Sequence, residues 1–294
     1  MPRKIEKNKP FTPEEDLLAF TMTELNNYKR KREREKENSF YMQIMKHFTN
    51  KHGGFTFLTT QENILQAMNP ATVGRLAYLA TYLERDTQLL LYQDRPMLKC
   101  DLQEVLKLSR PTTNKFYSEC ISAEVLKDHG KEGLYLDSNL FFKGKTTNKE
   151  CTKLFRVTVQ QLYEKLPQSR HNLFGYIIQL VPLINFEWNV VCENPEETDR
   201  QLIQPLSFKG VCEKLGYDYE NHDRLKKALT KPIFIWEHRK QPLCAFISVN
   251  TDVGRQNTMV VNPHILFAGS CINNVGVLDI AFTPHKATGK NKKG

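Results

Sequence analysis

The chain has 294 residues, of which 40% are hydrophobic and 26% charged, and a formal net charge of +9. That length accommodates two domains of ordinary size, and the composition is that of a globular chain able to build true cores. No apolar run approaches the roughly 20 residues a bilayer crossing requires. No apolar signal segment follows Met1-Pro-Arg-Lys-Ile-Glu6, so an intracellular protein is expected.

The placement of charge says more than its sum. Residues 1–54 carry 12 Lys and Arg against 8 Asp and Glu, and the tail from His285 carries four lysines and no acid, which leaves the middle near neutrality. Basic arms of this kind add salt-sensitive grip on phosphates, or serve as solvated surface. Seven cysteines are widely spaced without a C-x-x-C pair, which indicates neither a disulfide framework nor a zinc site. They are expected as small core residues.

In chain order, Thr12-Pro-Glu-Glu15 is a helix start, with a capping Thr, Pro at the first helical position and Glu three residues after the cap. Leu18, Met22 and Leu25 share one face. The run Lys29 to Glu37 cannot bury anything and extends the helix into solvent or acts as a linker. Gly53-Gly54 with aromatic flanks suggests a hairpin, although Tyr41, Ile44, Met45 and Phe48 also fit helical spacing. Thr60–Met68 and Pro70–Leu83 are predicted helices, and Gln88–Tyr92 a short strand.

The next segment carries the chemistry. Leu102, Val105 and Leu106 give a short supporting helix, Leu108 fills a turn, and Ser109 caps a second helix with Pro111 in its first turn. Thr113, Phe116, Cys120 and Ile121 have the spacing of a buried face. Arg110, Asn114, Lys115 and Ser118 are then left near solvent, with donors suited to base edges in a major groove, while Ser109 and Thr112 offer hydroxyls to phosphate. A hairpin follows, Val125-Leu126 against Leu134–Leu136, with Lys127, His129 and Lys131 at a glycine-bearing tip suited to minor-groove or phosphate contact; a plain solvated loop is the other reading.

Residues 145–156 are polar and basic and suggest a domain boundary, after which the order repeats. Leu173–Ile184 matches Val73–Leu83, and Trp188–Cys192 matches residues 88–92. Phe208, Val211, Cys212 and Leu215 form a second supporting helix. Arg224, Lys226 and Lys227 lie on a second outer helix held by Leu225 and Leu229. Arg239 and Lys240 lie in a long second wing that runs from Phe234 to Asn257. Asp218 and Glu220 make the intervening turn acidic, which disfavours phosphate there. The expected architecture is α+β, mainly helical: an N-terminal basic arm (1–38), two winged helix-turn-helix domains (39–146 and 147–282) and a basic tail (283–294).

The stretch Asp101-Leu-Gln-Glu-Val-Leu-Lys-Leu-Ser-Arg-Pro-Thr-Thr113 resembles the helix-turn-helix signature of MarR-type winged-helix regulators. The segment ending Leu136-Asp-Ser-Asn-Leu-Phe-Phe-Lys-Gly144 resembles winged-helix domains in replication proteins of plasmids and phages of Gram-positive bacteria. The duplication over about residues 55–270 is similar in plan to plasmid replication initiators, whose two winged helices bind repeated origin sites. The resemblance implies a cytoplasmic, nucleoid-associated protein with double-stranded DNA as its partner. A transcription regulator, or an interaction module holding a replisome or polymerase protein, fits the same pattern, and a homodimer is compatible with each.

No Walker-type G-x-x-x-x-G-K-S/T, G-x-G-x-x-G or H-E-x-x-H occurs, and the eight histidines are dispersed. Neither enzymatic activity nor a cofactor or metal is expected.

Overall fold

Polarity misleads most at Cys151–Phe155. Instead of a boundary segment, these five residues form a fully buried strand, and in the computed structural model they sit inside the principal sheet. The structure describes residues 27, 30, 31, 46, 50–59, 64–144, 151–251, 254–269, 278 and 281–282. The chain divides into two compact units, Met1–His47 and Phe48–Gly294. In the first, residues 27, 30, 31 and 46 are helical. The expected N-terminal helix start, most of the charged run and the basic tail lie outside the described residues.

The second unit is α+β, with eight α-helices and small antiparallel sheets among the described residues. Residues 50 and 51 are helical, Gly53 and Gly54 take positive φ (66° and 91°), and the chain enters β1 (Phe55–Thr59). The glycine pair therefore links helix to strand and closes no hairpin. The partners of β1 come from far along the sequence: β6 (Phe141–Phe142) on one side and β7 (Cys151–Phe155) on the other. A fourth strand, β12 (Leu266–Phe267), completes the order β12-β7-β1-β6. At its centre Phe57 faces Lys153; the other neighbour of Phe57 is Phe142, and that of Lys153 is Phe267. The Lys153 ammonium, which burial lowers to a pKa of about 8, donates to the Gly269 carbonyl at 2.8 Å and lies near the Phe267 ring.

The strand order is symmetric about the β7–β1 pair, and the elements that follow β1 and β7 repeat in the same order. Helix α1 (Ile64–Ala67) leads to α2 (Pro70–Leu79), which Asn69 caps by accepting from the Ala71 N–H at 2.9 Å. After β7 come α5 (Arg156–Lys165) and α6 (His171–Gln179). Helices α2 and α6 pack face to face and place Val73, Leu76, Ile177 and Ile178 in the core. They meet at Gly74 and Gly175, where backbone approaches so closely that neither position has room for a Cβ.

A shift of 101 residues superposes the backbone bonding that follows each helix. A 3-10 turn at Ala80–Tyr82 corresponds to one at Val181–Leu183, and the bridge Leu83–Leu90 to Ile184–Val191. The Glu84 N–H donates to Leu89 as Asn185 does to Val190. Gln88 and Asn189 both take positive φ. The Leu90 N–H donates to Leu134 as Val191 does to Met259, and Leu136 to Gln88 as Val261 to Asn189. The repeat legible in the sequence as a shared order of elements is thus a repeat of individual hydrogen bonds.

Each half then builds a helix pair and a hairpin. The first has α3 (Leu102–Leu106), α4 (Arg110–Ser122), β4 (Leu126–Asp128) and β5 (Leu134–Leu136), after a small ribbon of β2 (Leu91–Tyr92) and β3 (Arg95–Pro96). The second has α7 (Phe208–Lys214), α8 (His222–Leu229), β8 (Phe234–Trp236), β9 (Arg239–Gln241), β10 (Cys244–Thr251) and β11 (Gly254–Val261). The turns inside the helix pairs match at a shift of 109: Lys107 and Gly216 are both left-handed (φ 53° and 59°), and Leu108 donates to Gln103 as Tyr217 does to Cys212. The segments expected as separate domains share one hydrophobic core and one sheet.

The cysteines behave as core atoms: Cys120, Cys151, Cys192, Cys212 and Cys244 are buried, and Cys100 is exposed. Cys271 lies outside the described residues. Beneath the β8–β9 hairpin, the fully buried His52 ring stacks between Phe155 at 4.2 Å and Trp236 at 4.0 Å. Burial, then His264 and Lys51, pushes its pKa down to about 3. His171, buried against Tyr163, is lowered to about 4 by burial and by Arg75.

Candidate nucleic-acid interface

The short helix α3 is held at its start by Asp101. Its carboxylate takes two hydrogen bonds from Arg95, at 2.7 and 2.8 Å, and one from the Leu98 N–H. The Arg95 hydrogen bonds hold the Asp101 pKa below its usual value, although partial burial works against them. Asp101 is therefore a structural lock and not simply a solvated surface acid. Glu104 likewise has a specific role, accepting from the Tyr92 hydroxyl at 2.7 Å.

Helix α4 begins after Ser109, whose backbone is extended and whose hydroxyl lies 2.9 Å from that of Thr112. Thr113 turns its hydroxyl back to the Ser109 carbonyl at 3.0 Å. Thr113, Phe116 and Cys120 are buried at 6%, 1% and 0% exposure, and Ile121 is half-buried. The 3.6-residue period then leaves Ser109, Arg110, Pro111, Asn114, Lys115 and Ser118 exposed, with Thr112 half-buried. This is the partition the apolar spacing predicts. Four donor-bearing side chains thus share the outer flank of a helix whose inner flank is locked into the core.

The β4–β5 hairpin stands beside this helix. The Tyr117 hydroxyl donates to Asp128 at 2.7 Å, tying α4 to β4, and the Asp128 carboxylate also accepts from the Gly130 N–H at 2.8 Å. Gly133, at φ 107°, has Leu89 and Pro96 against the place of a Cβ, so no larger residue fits the tip. Lys127, His129 and Lys131 are exposed there; Lys127 lies 4.0 Å from Asp137, and the His129 ring rests edge-on to Tyr135.

The second half departs from expectation in two ways. The segment expected as its wing forms two hairpins. The long β10–β11 ribbon bonds to residues 190 and 191 and is the counterpart of β4–β5. The β8–β9 hairpin is an insertion between α8 and β10, and it carries Arg239 and Lys240, both exposed. Chain order alone ran the two together because no polar break separates them. The α8 cations are also split. Lys226 lies 4.5 Å over the Phe246 ring and is half-buried, whereas Arg224 and Lys227 turn to the opposite side, toward α6, where Lys231 and Arg170 join them. Arg170 escaped the sequence reading. Its signal was positional: it stands one residue before α6, where the 101-residue register places the capping Asn69 of α2.

Among the described residues no group of three or more His, Cys, Asp or Glu could hold a metal ion, and no helix is long and apolar enough to cross a membrane. No protein-family model, curated protein or solved structure matches this chain.

Proposed function

We propose that the protein binds double-stranded DNA through two winged helices, as an initiator that engages repeated origin sites of a phage or plasmid. In this reading α2, the strand at Leu90, α3, α4 and the β4–β5 wing form one module. The second comprises α6, the bridged segment at Val190–Val191, α7, α8 and the β10–β11 wing. The observation that carries the proposal is the partition of α4. Thr113, Phe116 and Cys120 anchor one flank, while Arg110, Asn114, Lys115 and Ser118 are exposed on the rest. Arg and Lys suit guanine edges and Asn suits adenine, and an α-helix fits the major groove. Lys127, His129 and Lys131, exposed on the adjacent wing, suit phosphate or the minor groove.

A transcription regulator would use the same parts, and the position of the bound site separates the two: repeats inside an origin support initiation, a site over a promoter supports regulation. The direct test is duplex binding to fragments of the native replicon as a function of salt. Log affinity is expected to fall steeply with log salt. The double variant Arg110→Ala, Lys115→Ala is expected to lose its site preference while keeping nonspecific binding. Unchanged specificity removes α4 from the reading role, and no binding at low salt leaves a protein-interaction module as the better account.

A further inference from the structure

The two halves place equivalent clefts between the first helix of each repeat and its outer helix, and the clefts differ in charge. In the first, between α2 and α4, Glu119 supplies an anion from within: its carboxylate accepts from the Asn69 N–H at 2.9 Å and the Thr72 hydroxyl at 2.6 Å at the start of α2. A helix N-terminus favours such a group, because its N–H donors lack intrahelical partners. In the second cleft, of about 350 Å³ between α6 and α8, the 109-residue register puts Ala228 where Glu119 stands. The buried pair Phe116 and Cys120, matched by Leu225 and Leu229, fixes that register.

The same 109-residue register replaces Lys115, Ser118 and Ser122 with Arg224, Lys227 and Lys231, and the 101-residue register of α2 and α6 replaces Asn69 with Arg170. All four cations line the second cleft, and no carboxylate lines it. Asn172 and the Tyr176–Tyr217 pair, with rings 5.7 Å apart and perpendicular, supply polar and flat walls. One half thus carries its own counter-anion, whereas the other has lost it and gathered four positive side chains around the vacated place.

We infer that the α6–α8 cleft is a phosphate site for the backbone of the bound duplex, rests on the DNA-binding reading above, and assigns the halves different work. The α4 face reads bases. The α8 face holds a phosphodiester, to which Arg224 presents a planar fork and Lys227 and Lys231 present point charges. The acidic turn at Asp218 and Glu220 does not oppose this, because both carboxylates lie outside the cleft lining.

The test is Ala228→Glu, which installs the carboxylate the first half already tolerates, together with Lys227→Gln in case the first variant folds poorly. Duplex affinity is measured from low to physiological salt for wild type and both variants. A parallel arm measures thermal stabilisation by tripolyphosphate. Weakening that is uniform across DNA sequences, with the salt slope reduced by about one per lost phosphate contact, is expected. Unchanged affinity and slope in both folded variants overturn the phosphate site while leaving the DNA-binding reading intact. Absence of duplex binding by wild type overturns that reading. If tripolyphosphate then stabilises wild type but not Ala228→Glu, the cleft takes a free phosphate compound and the backbone assignment falls.

Discussion

Replacing Gly175 by alanine tests the packing on which the repeat depends. Alanine is the better helix former by about 1 kcal/mol, so helix propensity alone predicts stabilisation. Geometry at the α2–α6 crossing predicts the reverse. A Cβ at Gly74 would lie 2.6 Å from the His171 carbonyl oxygen and 3.0 Å from the Gly175 nitrogen, and one at Gly175 would press still harder on the Pro70 carbonyl. The first contact is roughly an ångström inside the ~3.5 Å of comfortable non-bonded approach. The opposing atoms are helix backbone and cannot rotate away. The two helices must separate, which loosens Leu76 and Ile177, both fully buried. Overpacking of this kind costs about 1–3 kcal/mol and occasionally more. Gly74→Ala is therefore expected to fall within that range and Gly175→Ala at or beyond its top, either outweighing the propensity gain. Urea denaturation with far-ultraviolet circular dichroism reads both midpoints. A Gly175→Ala midpoint at or above wild type would refute the argument, because it would mean the crossing has slack that the structure denies.

Acid should destabilise the fold through two buried histidines. The folded pKa values of His52 and His171, about 3 and about 4, lie below the unfolded 6.5, so the unfolded chain takes up protons first. Stability is complete above pH 6.5 and falls as pH drops toward 4, by roughly 2 kcal/mol per histidine at pH 5; urea midpoints that stay level from pH 7.5 to 5 would contradict this. Asp101→Ala should cost about 1–2 kcal/mol, because it removes the acceptor that fixes the start of α3 and releases Arg95. An unshifted melting midpoint would make that lock ornamental. The left-handed turns give an opposed pair: Lys107→Gly should stabilise by up to about 1 kcal/mol and Gly216→Ala should destabilise by a similar amount. Equal signs in the two measured shifts would exclude a common backbone cause.

Short-range pattern was sufficient for the helix pairs and the α4 face. The spacing of Thr113, Phe116 and Cys120 already determines which flank of a helix can be buried, and Arg110, Asn114, Lys115 and Ser118 follow as the remainder. The repeat was visible for the same reason, since each half must satisfy the same local sequence of turns. Tertiary structure alone decided the place of Cys151–Phe155. Its lysine and threonine look like a linker until pairing with β1 and β12, about a hundred residues away in each direction, buries them. The α6–α8 cleft was likewise out of reach. Lys226 and Lys227 are neighbours in sequence, yet one lies on Phe246 and the other faces Arg170, because adjacent positions on a helix point about 100° apart. Periodicity tells which residues turn away from a core. Only the packing of α8 on α6 tells which of them turn toward each other.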